Sequence, residues 1–249
     1  MLILGIDTAT PWGTVALYEC ASIQENSGAN GEVLFEISFK AGKGGGEYLL
    51  STLDNFIKKA GRGFQEIDLI AAGTGPGSYT GIRVGLAAVK GLATGLQKPV
   101  FGINTLRIIA ENARYSSAQY IGVAIDARRG QVYGALFQKT VNGLKEIWEP
   151  GVMAIKDYAA GLERYTPAIV CGDGGKAYPD IRELQPGITG PRDWDRPSAG
   201  KLAQIAAQIW EPDAQPDLNA LKACYLQRVE AEIRLEGKLD AINRQPHEN

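Results

Sequence analysis

Apolar residues fall along the chain in two rhythms that outline an alternation of strands and helices. Residues 2–6 form a short apolar run broken only by Gly5, and residues 13–18 form another. The polar turn Asp7-Thr8-Ala9-Thr10-Pro11-Trp12 separates them. Short apolar runs closed by turn residues predict buried strands, so this segment reads as a hairpin with polar groups at its tip. Residues 32–39 alternate apolar and polar and predict a third strand. Over 47–60 the period changes, with Leu49, Leu50, Leu53, Phe56 and Ile57 on one face of a helix. A buried strand follows at 68–72, then a glycine-rich loop at 73–80 and a helix at 80–96. Further strands are predicted at 100–103, 120–125, 131–138 and 168–171, with helices at 105–115 and 202–209. Residues 19–31, rich in Ser, Asn, Gln and Gly, read as a surface loop, and the last twenty as a mobile charged tail.

One internal echo suggests a duplicated lobe. Gly5-Ile6-Asp7 followed by Val15-Ala16-Leu17 matches Ala124-Ile125-Asp126 followed by Val132-Tyr133-Gly134-Ala135-Leu136. Each is a buried strand ending in Asp, a polar turn and a returning strand. The expected organisation is an N-terminal lobe over 1–104, a C-terminal lobe over 105–230 and a tail over 231–249.

Composition narrows the function classes. The 26 Lys and Arg against 28 Asp and Glu give a net charge of −2, which excludes a chain that grips nucleic acid by itself. Cys20, Cys171 and Cys224 form no C-x-x-C pair, so neither a zinc ribbon nor a disulfide framework is indicated. The single histidine, His247, argues against His-based metal sites and catalytic triads. An acid at position 7 comes too early for a signal peptide, and no apolar run is long enough to span a bilayer. A cytoplasmic protein with no membrane partner is expected.

Several segments could carry chemistry, each with a plainer reading beside it. The 73–80 loop joins a strand to a helix and could offer backbone N–H groups to a phosphate, although it lacks the Gly-Lys-Ser/Thr ending of a P-loop. The alternative is a tight Gly-Pro-Gly turn with Thr80 capping the helix. Gly81, Gly85, Gly91 and Gly95 fall inside the next helix as two i,i+4 pairs, each glycine costing about 1 kcal/mol relative to Ala. They allow close approach either by the chain's own sheet or by another helix. Asp7 and Asp126 at strand ends could hold hydrated Mg²⁺ or simply brace turns. Asp126-Ala127-Arg128-Arg129 reads as a surface salt bridge, and Gly172-Asp173-Gly174-Gly175 as a nucleoside seat or an ordinary turn.

The run Gly75-Pro76-Gly77-Ser78-Tyr79-Thr80-Gly81-Ile82-Arg83-Val84-Gly85, with Ile6-Asp7-Thr8 before it and Ile125-Asp126-Ala127-Arg128-Arg129-Gly130-Gln131-Val132-Tyr133 after it, closely resembles the bacterial TsaB (YeaZ) family. Tyr225-Leu226 fits that family's closing Tyr-Leu-Arg, with Gln227 in place of Arg. The resemblance spans roughly residues 1–230. It implies an α/β ASKHA fold of two ribonuclease-H-like lobes, with mixed sheets and flanking helices. It also implies a role in forming N6-threonylcarbamoyladenosine on tRNAs reading ANN codons, as a subunit without catalytic activity of its own. The implied partners are a TsaD-like transferase, a TsaE-like ATPase and a second copy of the chain, with tRNA reached through the complex. The paralogous TsaD carries a metal on a His-x-x-x-His helix, whereas the matching stretch here reads Gly44-Gly45-Gly46-Glu47-Tyr48-Leu49-Leu50 and holds no histidine. No metal site is therefore expected, no intrinsic cofactor either, and ATP with Mg²⁺ only in the assembled complex.

By the same resemblance, Asp7, Thr8, Gly75, Gly77, Ser78, Thr80, Asp126, Gly172 and Gly174 mark a vestigial nucleotide or phosphate site. Tyr48, Leu49, Leu50, Leu53, Gly81, Arg83, Val84, Gly85 and Ala88 mark the partner seam on the two helices. The competing classes are an independent ASKHA-type ATP-binding enzyme, built on the strand-end aspartates and glycine loops, and a peptidase.

Overall fold

The computed structural model describes residues 1–21, 31–40, 45–178, 191–210 and 218–227. Most of the 19–31 loop, Gly44 and the 231–249 tail lie outside the described residues.

The hairpin forms where the apolar runs place it. Strand β1 (Leu2–Asp7) pairs antiparallel with β2 (Trp12–Cys20), setting Ile6 opposite Val15 and Asp7 opposite Thr14. β3 (Gly31–Lys40) extends the sheet beyond β2, while β4 (Leu69–Gly73) and β5 (Val100–Ile103) add in parallel beyond β1. The order is β3-β2-β1-β4-β5, so β1 is central and every one of its residues is buried. Burial on both faces is why it reads as an unbroken apolar run.

A second sheet repeats this plan with one strand fewer. β6 (Tyr120–Arg128), β7 (Gln131–Thr140) and β8 (Gly143–Ala154) form the antiparallel part, and β9 (Ala168–Cys171) joins β6 in parallel. The order β8-β7-β6-β9 matches that of the first sheet less its outer parallel strand. The echo in the sequence is thus a repeated topology, and with its flanking helices the chain has the two-lobed ASKHA fold.

Helices α1 (Gly45–Lys59) and α2 (Tyr79–Leu96) cover one face of the first sheet, where Leu49, Leu53 and Phe56 meet Ile82, Leu86 and Val89 over Leu4 and Ile6. On the other face lie α3 (Thr105–Asn112) and, past α4 (Ile155–Leu162) and the single turn α5 (Gly174–Ala177), helix α6 (Ala199–Ile209). α6 comes late in the chain yet returns to pack on β1 and β2. α3 serves both sheets. Its Ile108 packs with Ile3, Leu69 and Leu202, while Leu106, Ile109 and Ala110 pack with Ile121, Val123 and Phe137. α4 covers the outer face of the second sheet through Tyr158 and Leu162.

Two elements carry no clear pattern in the sequence. β8 contains Pro150 and Gly151 and pairs with β7 through two irregular steps, which destroys the period-two alternation. α4 is eight residues long, and Ala154 at its start offers no capping side chain. Helix α3 also stops at Asn112, earlier than expected, because the chain turns back on itself with Ser116 N–H donating to Ala113 O. The cap of α2 is Ser78, whose hydroxyl accepts from Gly81 N–H at 3.2 Å, and Thr80 stands exposed in the first turn.

The four glycines of α2 divide sharply. A Cβ on Gly81 would lie 2.1 Å from Thr8 O and one on Gly85 2.2 Å from Thr8 Oγ1, so this pair admits the chain's own hairpin turn. Gly91 and Gly95 are exposed and, among the described residues, have nothing within 4 Å of that position. Alanine at Gly91 or Gly95 is expected to raise the stability of the isolated chain by about 1 kcal/mol each. Leu53→Ala should lower it by about 2–5 kcal/mol. Urea unfolding of the three variants checks both signs.

Candidate functional site

The polar tip of the hairpin is built around a buried carboxylate. Asp7 ends β1 with no exposed surface. Its Oδ1 accepts from Ala9 N–H at 2.8 Å and its Oδ2 from the Thr105 hydroxyl at 2.8 Å. Gly73 at the end of β4 lies so close that a Cβ there would sit 1.9 Å from Asp7 Oδ2. Burial pushes the Asp7 carboxyl up to about 6, against the pull of the two hydrogen bonds. With both oxygens committed inside the protein, Asp7 does not fit the role of a ligand to hydrated Mg²⁺.

The glycine loop after β4 is fastened to the same tip. Gly75 N–H donates to Thr105 Oγ1 at 3.1 Å, and Thr105 N–H donates back to Gly75 O at 2.7 Å. Ser78 N–H donates to Ala9 O at 2.6 Å, and Thr74 N–H to Ile103 O at 2.9 Å. Gly77 faces the hairpin so tightly that a Cβ would fall 2.1 Å from Ala9 O. Thr8 donates its hydroxyl to Gly81 O at 2.7 Å. Backbone donors that the sequence could offer to a phosphate are therefore held by the chain itself at Thr74, Gly75 and Ser78. Asp7, Thr8, Gly75, Gly77 and Ser78 are brought together, and Thr80 stands apart on the exposed turn.

The second lobe supplies an opposing wall. Asp126, partly buried, stands two residues before the end of β6, and its N–H donates to Asp173 Oδ1 at 2.9 Å. Its own carboxylate accepts from Arg128 N–H at 2.8 Å and pairs with the Arg128 guanidinium at 3.3 Å, the surface salt bridge expected. Gly172 and Gly174 lie against Ala124, where a Cβ would come within 2.1 and 2.8 Å of its carbonyl oxygen. They clip the loop after β9 onto β6. Burial raises the Asp173 carboxyl above its ordinary range. Between the lobes a cleft of about 240 Å³ is bordered by Gly77 and Ser78 on one side and by Asp126, Arg128, Asp173 and Gln227 on the other.

Gln227, in the position where the family's motif has Arg, closes one end of this cleft. Its amide donates to Ala127 O and Gln131 Oε1 at 3.2 Å each, and its carbonyl accepts from the Tyr133 hydroxyl at 3.1 Å. The segment before it crosses from the first lobe, where Leu221 joins the core and Cys224 N–H donates to Thr74 O at 2.8 Å. Thr105, Tyr133 and Gln227 were not among the expected site residues, and Asp173 was expected only as part of the Gly172–Gly175 nucleoside seat. A threonine opening an apolar helix right after Asn104 was the one local signal for Thr105.

The expected partner residues separate into two groups. Tyr48, Leu50 and Arg83 are exposed, and Gly81, Val84 and Ala88 are half-buried. Leu49, Leu53 and Gly85 are a correction: the first two lie in the core beneath α1, and Gly85 is buried against Thr8. One helical face cannot both cover the sheet and meet a partner, and in α1 the sheet takes Leu49 and Leu53. Among the described residues no three His, Cys, Asp or Glu side chains gather to hold a metal ion, and no helix is long and apolar enough to cross a membrane.

Comparison with known proteins places this geometry. Residues 40–179 match the family model "TsaD: tRNA N6-adenosine threonylcarbamoyltransferase". The tRNA threonylcarbamoyladenosine biosynthesis protein TsaB of Escherichia coli K12 is 28% identical over 96% of this chain and 100% of its own length. The TsaB protein of Bacillus subtilis 168 is 30% identical over 68% of this chain and 74% of its own. A crystal structure from Pseudomonas aeruginosa, described as an uncharacterized protein with similarity to peptidase YeaZ, superposes with a TM-score of 0.72 at 25% identity, covering 91% of this chain and 99% of that one. A structure of YeaZ from Pseudomonas aeruginosa gives 0.68 at 26% identity, covering 90% and 99%.

The buried carboxylate gives a testable pH dependence. The unfolded chain carries Asp7 at its ordinary 3.8 and the folded one at about 6. The folded state therefore holds the proton more tightly, and stability is greatest below the lower value. Relative to Asp7→Asn, the stability of the wild type should fall by about 2 kcal/mol as pH rises from about 4 to about 6, out of about 3 kcal/mol in all, and level off near pH 7. Urea unfolding of both proteins across that range measures the difference.

Proposed function

The chain belongs to the TsaB (YeaZ) family and so takes part in tRNA threonylcarbamoyladenosine biosynthesis; on that premise we propose that it is the non-catalytic partner subunit that binds and activates a TsaD-like transferase, together with a TsaE-like ATPase. The observation that carries this reading is the outer face of α1 and α2. Tyr48 is 51% and Leu50 54% exposed there, and Arg83 is exposed on the neighbouring helix. Gly91 and Gly95 on α2 are exposed, and nothing among the described residues compensates their cost of about 1 kcal/mol each in a helix. A second helix pair approaching closely would supply that compensation. A second copy of the chain is the other partner suited to the same face.

A non-catalytic role fits the buried state of Asp7, whose two oxygens accept from Ala9 N–H and the Thr105 hydroxyl. On this reading ATP with Mg²⁺ belongs to the assembled complex, and the interlobe cleft is a vestige of a nucleotide site. The peptidase alternative finds no support in a chain whose one histidine is His247.

Reconstitution tests the proposal. A mixture of TsaD-like transferase, TsaE-like ATPase, tRNA and threonylcarbamoyl-adenylate should modify tRNA when this chain is added, and the chain alone should modify none. Modification that proceeds equally well without the chain overturns the reading. Leu50→Glu and Gly91→Leu should weaken association with the transferase by about tenfold or more, while the melting temperature of the isolated chain stays nearly unchanged in Leu50→Glu and rises by about 2–4 °C in Gly91→Leu, as sedimentation and thermal melts will record.

A further inference from the structure

Away from the α1–α2 face, where the end of α3 meets α6, the chain presents a second surface of different chemistry. Tyr115 is 78% exposed there. Two cations from separate elements lie over its ring: the Arg114 guanidinium carbon at 5.7 Å from the centroid and Lys201 Nζ, from α6, at 5.7 Å. Lys139 of β7 adds a third, its ammonium donating to the carbonyl of Ser116 next door. Lys201 also borders a groove of about 310 Å³ whose walls include Asn112, Trp194 and Arg196. Across that groove the Arg196 guanidinium lies over the Trp12 ring at 3.7 Å. Aromatic rings and cations thus alternate along one face.

The carboxylates nearby leave a positive excess at the Tyr115 end. Glu111 holds Arg114 at 2.8 Å, and Glu36 and Asp193 border the groove. The oxygens of Glu36 already accept from the Thr14 and Ser198 hydroxyls, both at 3.2 Å. Neither Lys139 nor Lys201 has a carboxylate partner among the described residues. An exposed ring between a guanidinium and an ammonium, with a second ammonium held on the neighbouring Ser116, suits a ligand with a π-face and a row of negative charges, which is unpaired nucleic acid. A protein partner would call for a wider apolar patch, and the exposed apolar residues Tyr48 and Leu50 stand on α1 instead.

We propose that this face is an accessory contact for unpaired RNA, with a base stacked on Tyr115 and backbone phosphates held by Lys139 and Lys201. The inference rests on the reading that the chain works in a complex acting on tRNA. A few cations on a chain of net charge −2 cannot hold RNA tightly alone. The contact adds to a grip supplied by the other subunits.

Two measurements test it. In the first, the isolated full-length chain is titrated into fluorescein-labelled oligouridine and into bulk tRNA at a series of salt concentrations, read by anisotropy. Tyr115→Ala should weaken binding about tenfold and Tyr115→Trp should preserve it. Lys139→Gln with Lys201→Gln should reduce the slope of log affinity against log salt by about 1.4. Lys201→Gln alone, which leaves the Ser116 bond in place, should show about half of that change. In the second, the same variants enter the reconstituted mixture at limiting tRNA, where modification should slow while association with the transferase stays unchanged.

Absence of RNA binding by the wild type at low salt, or binding unaltered in Tyr115→Ala, overturns the contact. Loss of protein association with RNA binding unaltered overturns it in favour of a protein-docking surface. A wild-type chain that proves dispensable for modification overturns the proposed function instead, and the titration still decides the RNA contact.

Discussion

The buried carboxylate of Asp7 is the point at which the separate segments of the chain are tied together. It ends the central strand, accepts from the backbone that turns the hairpin, and accepts again from the first residue of α3. Thr105 in turn exchanges two hydrogen bonds with Gly75, so the loop leading into α2 is fixed to the same point. Taking an ionisable group out of water is expensive unless its lone pairs are satisfied. Much of the local sequence serves that need. Gly73 gives up its side chain to the carboxylate, and Gly77 and Gly81 give up theirs to the backbone of Ala9 and Thr8. The motif that looks like a phosphate cradle is, in this chain, a joint.

That joint also explains which parts of the architecture could be read in advance. Runs such as 2–6 and 68–72 are buried on both sides and announce themselves by composition alone. Both α1 and α2 declare their inward faces through Leu49, Leu53, Ile82 and Leu86. The duplicated hairpin was visible because each copy carries an Asp at or near the end of its first strand, Asp7 closing β1 and Asp126 standing two residues before the end of β6. By contrast β8 carries a proline and two register irregularities, and its residues alternate with nothing. The site was less legible than the fold. Thr105 reaches Asp7, and Asp173 and Gln227 reach the cleft, from segments far apart in sequence, and no spacing rule connects them to Asp7 or Asp126. The glycines of α2 could be counted but not sorted, because whether a missing Cβ faces Thr8 or open space depends on where the hairpin tip comes to rest.

The two lobes have kept the same strand order while diverging in what they do with it. In the first, the aspartate at the end of the strand faces inward and is sealed. In the second, Asp126 sits near the surface beside Arg128 and lines the cleft. A repeated topology therefore offers one polar wall and one closed wall. The segment from Leu221 to Gln227 spans both lobes and sets the distance between those walls.

Helix α3 has a further consequence for how the molecule holds together. Ile108 belongs to the apolar cluster of the first sheet, and Leu106, Ile109 and Ala110 belong to that of the second. Eight residues are thus common property of two cores. Neither half can lose its packing without stripping the helix that the other half needs, so opening in one propagates to its neighbour. The repeat that is so plain in the topology should leave no independence in the unfolding, because the shared helix ties both halves into one cooperative transition.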